Sequence, residues 1–270
     1  MKSTRCPISG DNDSELIFSY NSPPIGEMKL DHIKSYKREV RKFKISSHYI
    51  NVHSFNLDDL YSGSYVDSTY KNSDKLVKTF KKIISLPEDK SDNIGRYTKI
   101  ENFANLWFNK KVIPSLLDVG SGLGVFPYIV NKNGWDCTAI DPDPRSISHI
   151  KNNLDIKGIC GDFNKIKPTK KFDIITFNKV LEHVKDPIKM LSLSIKWLKK
   201  GGFVYIEIPD GEMSEIHGKG REEFFLEHYH IFSITSTAIM ASKAGYKIEE
   251  ISRLQEPSSK FTIRAFLSKI

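Results

Sequence analysis

The stretch that most constrains this chain is Ser115-Leu-Leu-Asp-Val-Gly-Ser-Gly-Leu-Gly124, with glycines at alternate positions behind an aspartate. A second apolar run, Val125-Phe-Pro-Tyr-Ile-Val130, follows at once. This pattern predicts a buried strand, a tight turn and a helix start. Gly120, Gly122 and Gly124 let the backbone approach a ligand where a side chain would block it. The next expected strand, Asp136-Cys-Thr-Ala-Ile-Asp141, ends in a carboxylate. A carboxylate there can hold both hydroxyls of a ribose.

The spacing selects the nucleoside. A dinucleotide site needs G-x-G-x-x-G, with a helix N-terminus facing a pyrophosphate. Counted from Gly120, the third glycine falls on Val125; counted from Gly122, it falls on Pro127. Both frames fail. The remaining D-x-G-x-G-x-G places Asp118 beside the turn, where its charge repels phosphate and suits a cation. An amino acid joined to a nucleoside through a sulfonium meets that requirement. Asp118 is then expected at the amino-acid end, beside the turn of Gly120, Ser121 and Gly122, and Asp141 at the ribose. Asp162, in Cys160-Gly-Asp-Phe163, is placed to accept from an adenine amino group, with Phe163 flanking the ring. Asn178 ends the fourth strand, at the same edge of the sheet. Open α/β sheets bind ligands at these carboxyl ends.

Strands are expected at 115–119, 136–140, 156–160, 172–177, 202–208, 246–254 and 260–268, with helices between the earlier ones. The alternation argues an α/β fold with a parallel sheet covered on both faces. After the fourth strand Asp186 can cap a helix, Pro187 takes its first position and Gly201 follows its end. A short Pro-Ser loop between the last two strands predicts an antiparallel hairpin. Helical spacing is also expected over 73–87 and 94–108. Residues 1–75 read as a loop-and-strand extension, and 76–270 as the main domain.

The D-x-G-x-G-x-G stretch resembles the first motif of class I S-adenosylmethionine (AdoMet) methyltransferases. Phe172-Asp-Ile-Ile-Thr-Phe-Asn-Lys-Val-Leu-Glu-His-Val-Lys-Asp-Pro187 is similar to the fourth-strand signature of their small-molecule group. Leu198–Pro209 resembles the fifth strand of that group. Glu227-His-Tyr-His-Ile-Phe-Ser233, with Ala244-Gly-Tyr246, resembles its "EH-H-FS … aGF" segment. The resemblance implies a Rossmann-like sheet closed by the antiparallel hairpin, with AdoMet as cofactor. It also implies a small-molecule acceptor: a sugar or nucleotide sugar of surface polysaccharide biosynthesis.

Near the N-terminus, Cys6-Pro-Ile-Ser-Gly10 resembles the "CPxCG" opening of a zinc ribbon found in sugar-modifying relatives. Lys44-Ile-Ser-Ser-His48 lies where a second ligand pair would fall. Only Cys6 survives of four thiolates, and tetrahedral zinc needs four ligands, so the resemblance implies a metal-free relic. Tyr61-Ser-Gly-Ser-Tyr65 and Ser91-Asp-Asn-Ile-Gly-Arg96 resemble stretches that close over cofactor or substrate. Tyr61, Tyr65, Asn93 and Arg96 are therefore substrate-contact candidates.

Methyl transfer to a hydroxyl needs orientation and a general base. His183, His228 and His230 are the candidates, because imidazole titrates near neutrality. His230 is favoured, since apolar Ile231 and Phe232 can lock its orientation. A metal held by Glu227, His228 and His230 lacks further convergent ligands in the sequence, so no metal is expected.

The net charge of +8 leaves an RNA methyltransferase as an alternative, and a non-catalytic AdoMet-binding scaffold as another. Against nucleic acid, the charge is spread evenly: residues 1–110 and 111–270 each net +4. The basic run Lys34–Lys44 reads as a solvated helix face. The three cysteines, Cys6, Cys137 and Cys160, form no CxxC pair, and the latter two read as buried strand residues. With no apolar run of about 18 residues and no leader-like N-terminus, a soluble cytoplasmic protein is expected.

Overall fold

The computed structural model describes residues 5–28, 35–55, 73–109 and 113–270. The earliest elements are β1 (Ser14–Tyr20), β2 (Arg38–Phe43) and β3 (Tyr49–His53), an antiparallel sheet in that order. The basic run from 34 to 44 is thus no helix face; residues 38–43 form the middle strand. Arg38 and Val40 are buried with the two-residue period of a strand. Arg38 tolerates burial because Glu27 pairs with it at 2.8 Å. Lys34 lies outside the described residues.

Helices α1 (Ser73–Ile84) and α2 (Asp92–Trp107) follow, the second capped by Ser91 Oγ, which accepts from Ile94 N. Then come β4 (Ser115–Val119), α3 (Val125–Lys132), β5 (Asp136–Asp141), α4 (Pro144–Leu154), β6 (Lys157–Cys160) and β7 (Phe172–Asn178). The chain continues through α5 (Pro187–Leu193), β8 (Leu198–Pro209), α6 (Gly211–Ile216), α7 (Ile234–Lys243), β9 (Tyr246–Gln255) and β10 (Phe261–Lys269). The seven-stranded sheet has the order β6-β5-β4-β7-β8-β10-β9. β4 runs parallel to β5 and β7, and β5 parallel to β6. β10 is antiparallel to β9 and sits between β8 and β9. The expected Rossmann-like α/β sheet with its terminal hairpin is present.

The chain divides into two compact units. The first comprises Met1–Leu57, Lys179–Ser192 and Ile206–Ile270, so the N-terminal sheet groups with the hairpin. Within it, Tyr49 N donates to Ile231 O at 2.9 Å and Ile231 N to Tyr49 O at 3.1 Å. The second comprises Asp58–Asn178 and Leu193–Tyr205. There Leu116, Leu117, Ile174, Ile175 and Phe177 are fully buried, as strands covered on both faces require. The register sets Asp118 opposite Ala139 and Thr176, and Asp141 opposite Cys160. The carboxyl ends of β4, β5 and β7 are therefore level.

Two further local expectations are corrected. Asp186 does cap α5, its Oδ1 accepting from Lys189 N at 2.9 Å, but Gly201 does not end a helix. It lies inside β8, at φ 79°, after α5 has passed into a 3-10 turn at Ser194–Lys196. Cys137 is buried, whereas Cys160 is exposed at the end of the edge strand β6. Among the described residues, no helix is long and apolar enough to cross a membrane.

Candidate functional site

The turn after β4 is built as its glycines require. Gly120 N donates to Ile140 O at 2.8 Å, and Ser121 Oγ to Asp118 O at 2.9 Å. Two of the glycines have different jobs. A Cβ on Gly124 would meet Ile150 Cγ1 at 2.6 Å, so Gly124 permits helix packing. Among the described residues, a Cβ on Gly122 would meet nothing within 4 Å, and its φ is 49°. Gly122 therefore presents bare backbone to open space, where a ligand can approach.

Asp141 binds this turn to the next helix. Its Oδ2 accepts from Gly122 N at 2.8 Å and its Oδ1 from Asp143 N at 2.9 Å. Each oxygen keeps further acceptor capacity. Burial raises its pKa above the usual carboxylate range. Asp118 is 2% exposed, and its Oδ1 accepts from Thr176 Oγ1 and Asn178 Nδ2, both at 2.7 Å. Burial pushes its pKa up to about 6, against these hydrogen bonds and the nearby charge of Arg96. Asn178 Oδ1 is buried without a partner among the described residues. A buried amide oxygen left so is costly unless a ligand satisfies it.

The other expected cofactor residues divide. Gly161 N donates to Asp141 O at 2.9 Å, so Asp162, just past β6, lies beside the end of β5. Asp162 is half-buried and caps its own turn through Asn164 N at 2.9 Å. Phe163 is corrected: its ring is 4% exposed, edge-on to Phe177 and stacked on Trp197 at 5.5 Å, committed to the core. Arg96 is buried on α2 and donates to Asn93 Oδ1 at 2.6 Å. Tyr61 and Tyr65 lie outside the described residues.

The histidines belong to the first unit. Glu182 and His183 lie on a 3-10 turn, Leu181–His183. His183 Nδ1 donates to Glu227 O at 3.1 Å, and His228 Nδ1 to Glu223 O at 2.7 Å. Their half-buried rings are 4.9 Å apart. Burial lowers His183 to about 4; burial and the neighbouring His183 lower His228 to about 3. Glu182 is 2% exposed, its Oε2 has no partner among the described residues, and burial raises it to about 8. One ligand-type atom each of Glu182, His183 and His228 lies within 4.8 Å of the others. Among the described residues this is the group able to hold a divalent cation. Sequence reasoning missed Glu182, although it adjoins His183.

His230 is placed otherwise than its preference as base requires. It is 2% exposed, with Nδ1 3.1 Å from His48 Nε2 and its ring 6.0 Å from Phe232. His228 is half-buried and His230 buried in a segment that is not a strand, so no two-residue period relates them. At the N-terminus, Cys6 Sγ is 3.4 Å from Ser46 Oγ, and Ser9 Oγ donates to Ser46 Oγ at 3.2 Å. Hydroxyls stand here where thiolates would hold zinc.

The methyltransferase-domain family model matches residues 79–251, well over half of the chain. Ubiquinone biosynthesis O-methyltransferase of Coxiella burnetii is 34% identical over 96 residues, 33% of this chain and 41% of that protein. The protein of the same name from Actinobacillus pleuropneumoniae is 29% identical over 121 residues, 41% of this chain and 50% of its own length. The chain thus spans half or less of the curated relatives it matches. Among solved structures, magnesium protoporphyrin IX methyltransferase of Synechocystis, with bound S-adenosylhomocysteine, aligns at TM-score 0.56 and 11% identity. That alignment covers 79% of this chain and 100% of the other. The 1,6-didemethyltoxoflavin-N1-methyltransferase of Burkholderia thailandensis aligns at 0.55 and 13% identity, covering 92% and 99%. At these identities the likeness is one of fold.

Proposed function

Because this chain belongs to the methyltransferase-domain family, we propose that it is an AdoMet-dependent methyltransferase acting on a hydroxyl of a small molecule. The observation that carries this reading is that Asp118, Asp141 and Asn178 gather at the carboxyl ends of β4, β5 and β7, beside the open backbone of Gly122. The residues fit the cofactor: bare backbone at Gly122, acceptor capacity on Asp141, and an unsatisfied buried amide oxygen on Asn178. Bound AdoMet supplies an electrophilic sulfonium methyl for in-line displacement. Asp141 would hold the ribose hydroxyls and Asp162 the adenine amino group. Asp118 and Asn178 would hold the amino-acid end, with Arg96 as the cation for its carboxylate.

The proton of the acceptor hydroxyl needs a neutral base. We assign that role to His228 and His183: their Nδ1–H groups are committed to carbonyls and Nε2 keeps the lone pair, and burial keeps both rings neutral at a cost in basicity. His230, paired with His48, is a packing residue in this reading. The curated relatives are named for O-methylation in ubiquinone biosynthesis, which supports a hydroxyl acceptor. A sugar or nucleotide sugar is the finer reading, and it rests on the sequence resemblance of the N-terminal segment.

The test is a panel of nucleotide sugars, free sugars and phenols incubated with methyl-labelled AdoMet. Label should appear in a hydroxyl-bearing acceptor. Cofactor binding with no turnover on any acceptor supports the scaffold reading instead. Tight, steeply salt-dependent binding of bulk RNA supports the RNA methyltransferase.

A further inference from the structure

Three side chains of the first unit converge on the backbone of one short segment. Arg38 Nη1 donates to Phe224 O at 2.5 Å and also to Asn51 Oδ1, while Nη2 donates to Glu27 Oε1 at 2.8 Å. Glu27 Oε1 in turn accepts from Leu226 N at 2.8 Å. Asn51 Nδ2 donates to Phe225 O at 3.1 Å and to His228 O at 2.9 Å. The side chains of Glu27 and Arg38 are fully buried.

The same segment orients both histidines. Glu223 O and Glu227 O accept from His228 Nδ1 and His183 Nδ1. A carbonyl accepts and cannot donate, so each contact fixes the Nδ1–H tautomer and leaves Nε2 basic. A shift of residues 223–228 would move both carbonyls at once. Replacing a buried arginine–carboxylate pair by apolar groups often leaves stability unchanged or raises it, so stability alone explains such a pair poorly. What it does here is set where a backbone segment lies.

We propose that Glu27, Arg38 and Asn51 are positioning residues, which act through the backbone of residues 223–228 to hold the tautomer and ring orientation of His183 and His228. Their importance for methyl transfer rests on the reading of those histidines as proton acceptors. The N-terminal sheet, which by resemblance is a relic of a zinc module, thereby acquires a present task.

Asn51→Leu keeps the side-chain volume and removes both donations to the segment. Ring-nitrogen NMR of the full chain reads the tautomers directly, with His149 of the other unit as internal control. In wild type, His183 and His228 should each show a single Nδ1–H form. In Asn51→Leu, His228 should lose that single form and populate Nε2–H, with His149 unchanged. If the folded variant keeps single Nδ1–H forms at both rings, whatever its melting temperature, the proposal is overturned. Should Asn51→Leu not fold, Asn51→Ser, which can donate to only one carbonyl, is read by the same criterion. A wild-type protein that binds no S-adenosylhomocysteine would sink the methyltransferase reading, yet leave the ring result standing.

Discussion

Asn178 donates to the Asp118 carboxylate across neighbouring strands β7 and β4 at 2.7 Å, while its own Oδ1 stays buried without a partner among the described residues. One amide thus steadies a buried acid and holds out an acceptor at the strand end. Replacing it with an isosteric apolar side chain separates these roles from packing. Asn178→Leu should weaken S-adenosylhomocysteine binding about tenfold, the size of one net hydrogen bond. Calorimetry checks this; an unchanged affinity would remove Asn178 from the cofactor site.

Asp118 gives the site a pH dependence. Its raised pKa of about 6 means that it takes up a proton in the free protein as pH falls through that value. A cationic ligand end prefers the carboxylate, so protons compete with it. S-Adenosylhomocysteine affinity should hold from pH 8 to 7 and decline below about 6. Asp118→Asn should flatten that decline. A decline of equal steepness in Asp118→Asn would place its origin elsewhere.

For the base, burial holds His228 near 3 and His183 near 4, so both stay neutral over the physiological range. With cofactor saturating, turnover should show no acid limb from these rings between pH 8 and 5. His228→Ala should lower turnover by about 10²–10⁴ and leave cofactor affinity within a few-fold. His230→Phe should leave turnover within tenfold. Chelator treatment should leave the rate unchanged; a loss restored by one divalent ion would make Glu182, His183 and His228 a metal site rather than a proton-handling one.

The N-terminal segment should carry no zinc that depends on Cys6. Its thiol meets Ser46 and the Ser9 amide instead of a set of thiolates. Metal analysis of wild type and Cys6→Ser should give the same content. Stoichiometric zinc lost in Cys6→Ser would restore a functioning metal module.

The strand ends that carry the proposed cofactor residues were legible in the sequence. Apolar runs with sharp ends placed β4, β5 and β7 within a residue, and so placed Asp118, Asp141 and Asn178. What failed depended on partners remote in sequence. Phe163 turns inward because Trp197 offers a stacking face. His230 is held inside by His48, 182 residues away, which its apolar neighbours Ile231 and Phe232 could not reveal. The charges around Arg38 suggested a solvated helix because nothing nearby announced Glu27 as its buried partner.

The central claim is that Asp141 and the Gly122 turn hold the nucleoside of AdoMet rather than a dinucleotide. Titration calorimetry of wild type and Asp141→Ala, with S-adenosylhomocysteine and with NAD, tests it most directly. Wild type should bind S-adenosylhomocysteine and not NAD. Asp141→Ala should lose on the order of 2–4 kcal/mol of that binding, because two ribose donors are left unpaired. An unchanged dissociation constant in Asp141→Ala, or submicromolar NAD binding by wild type, would contradict it.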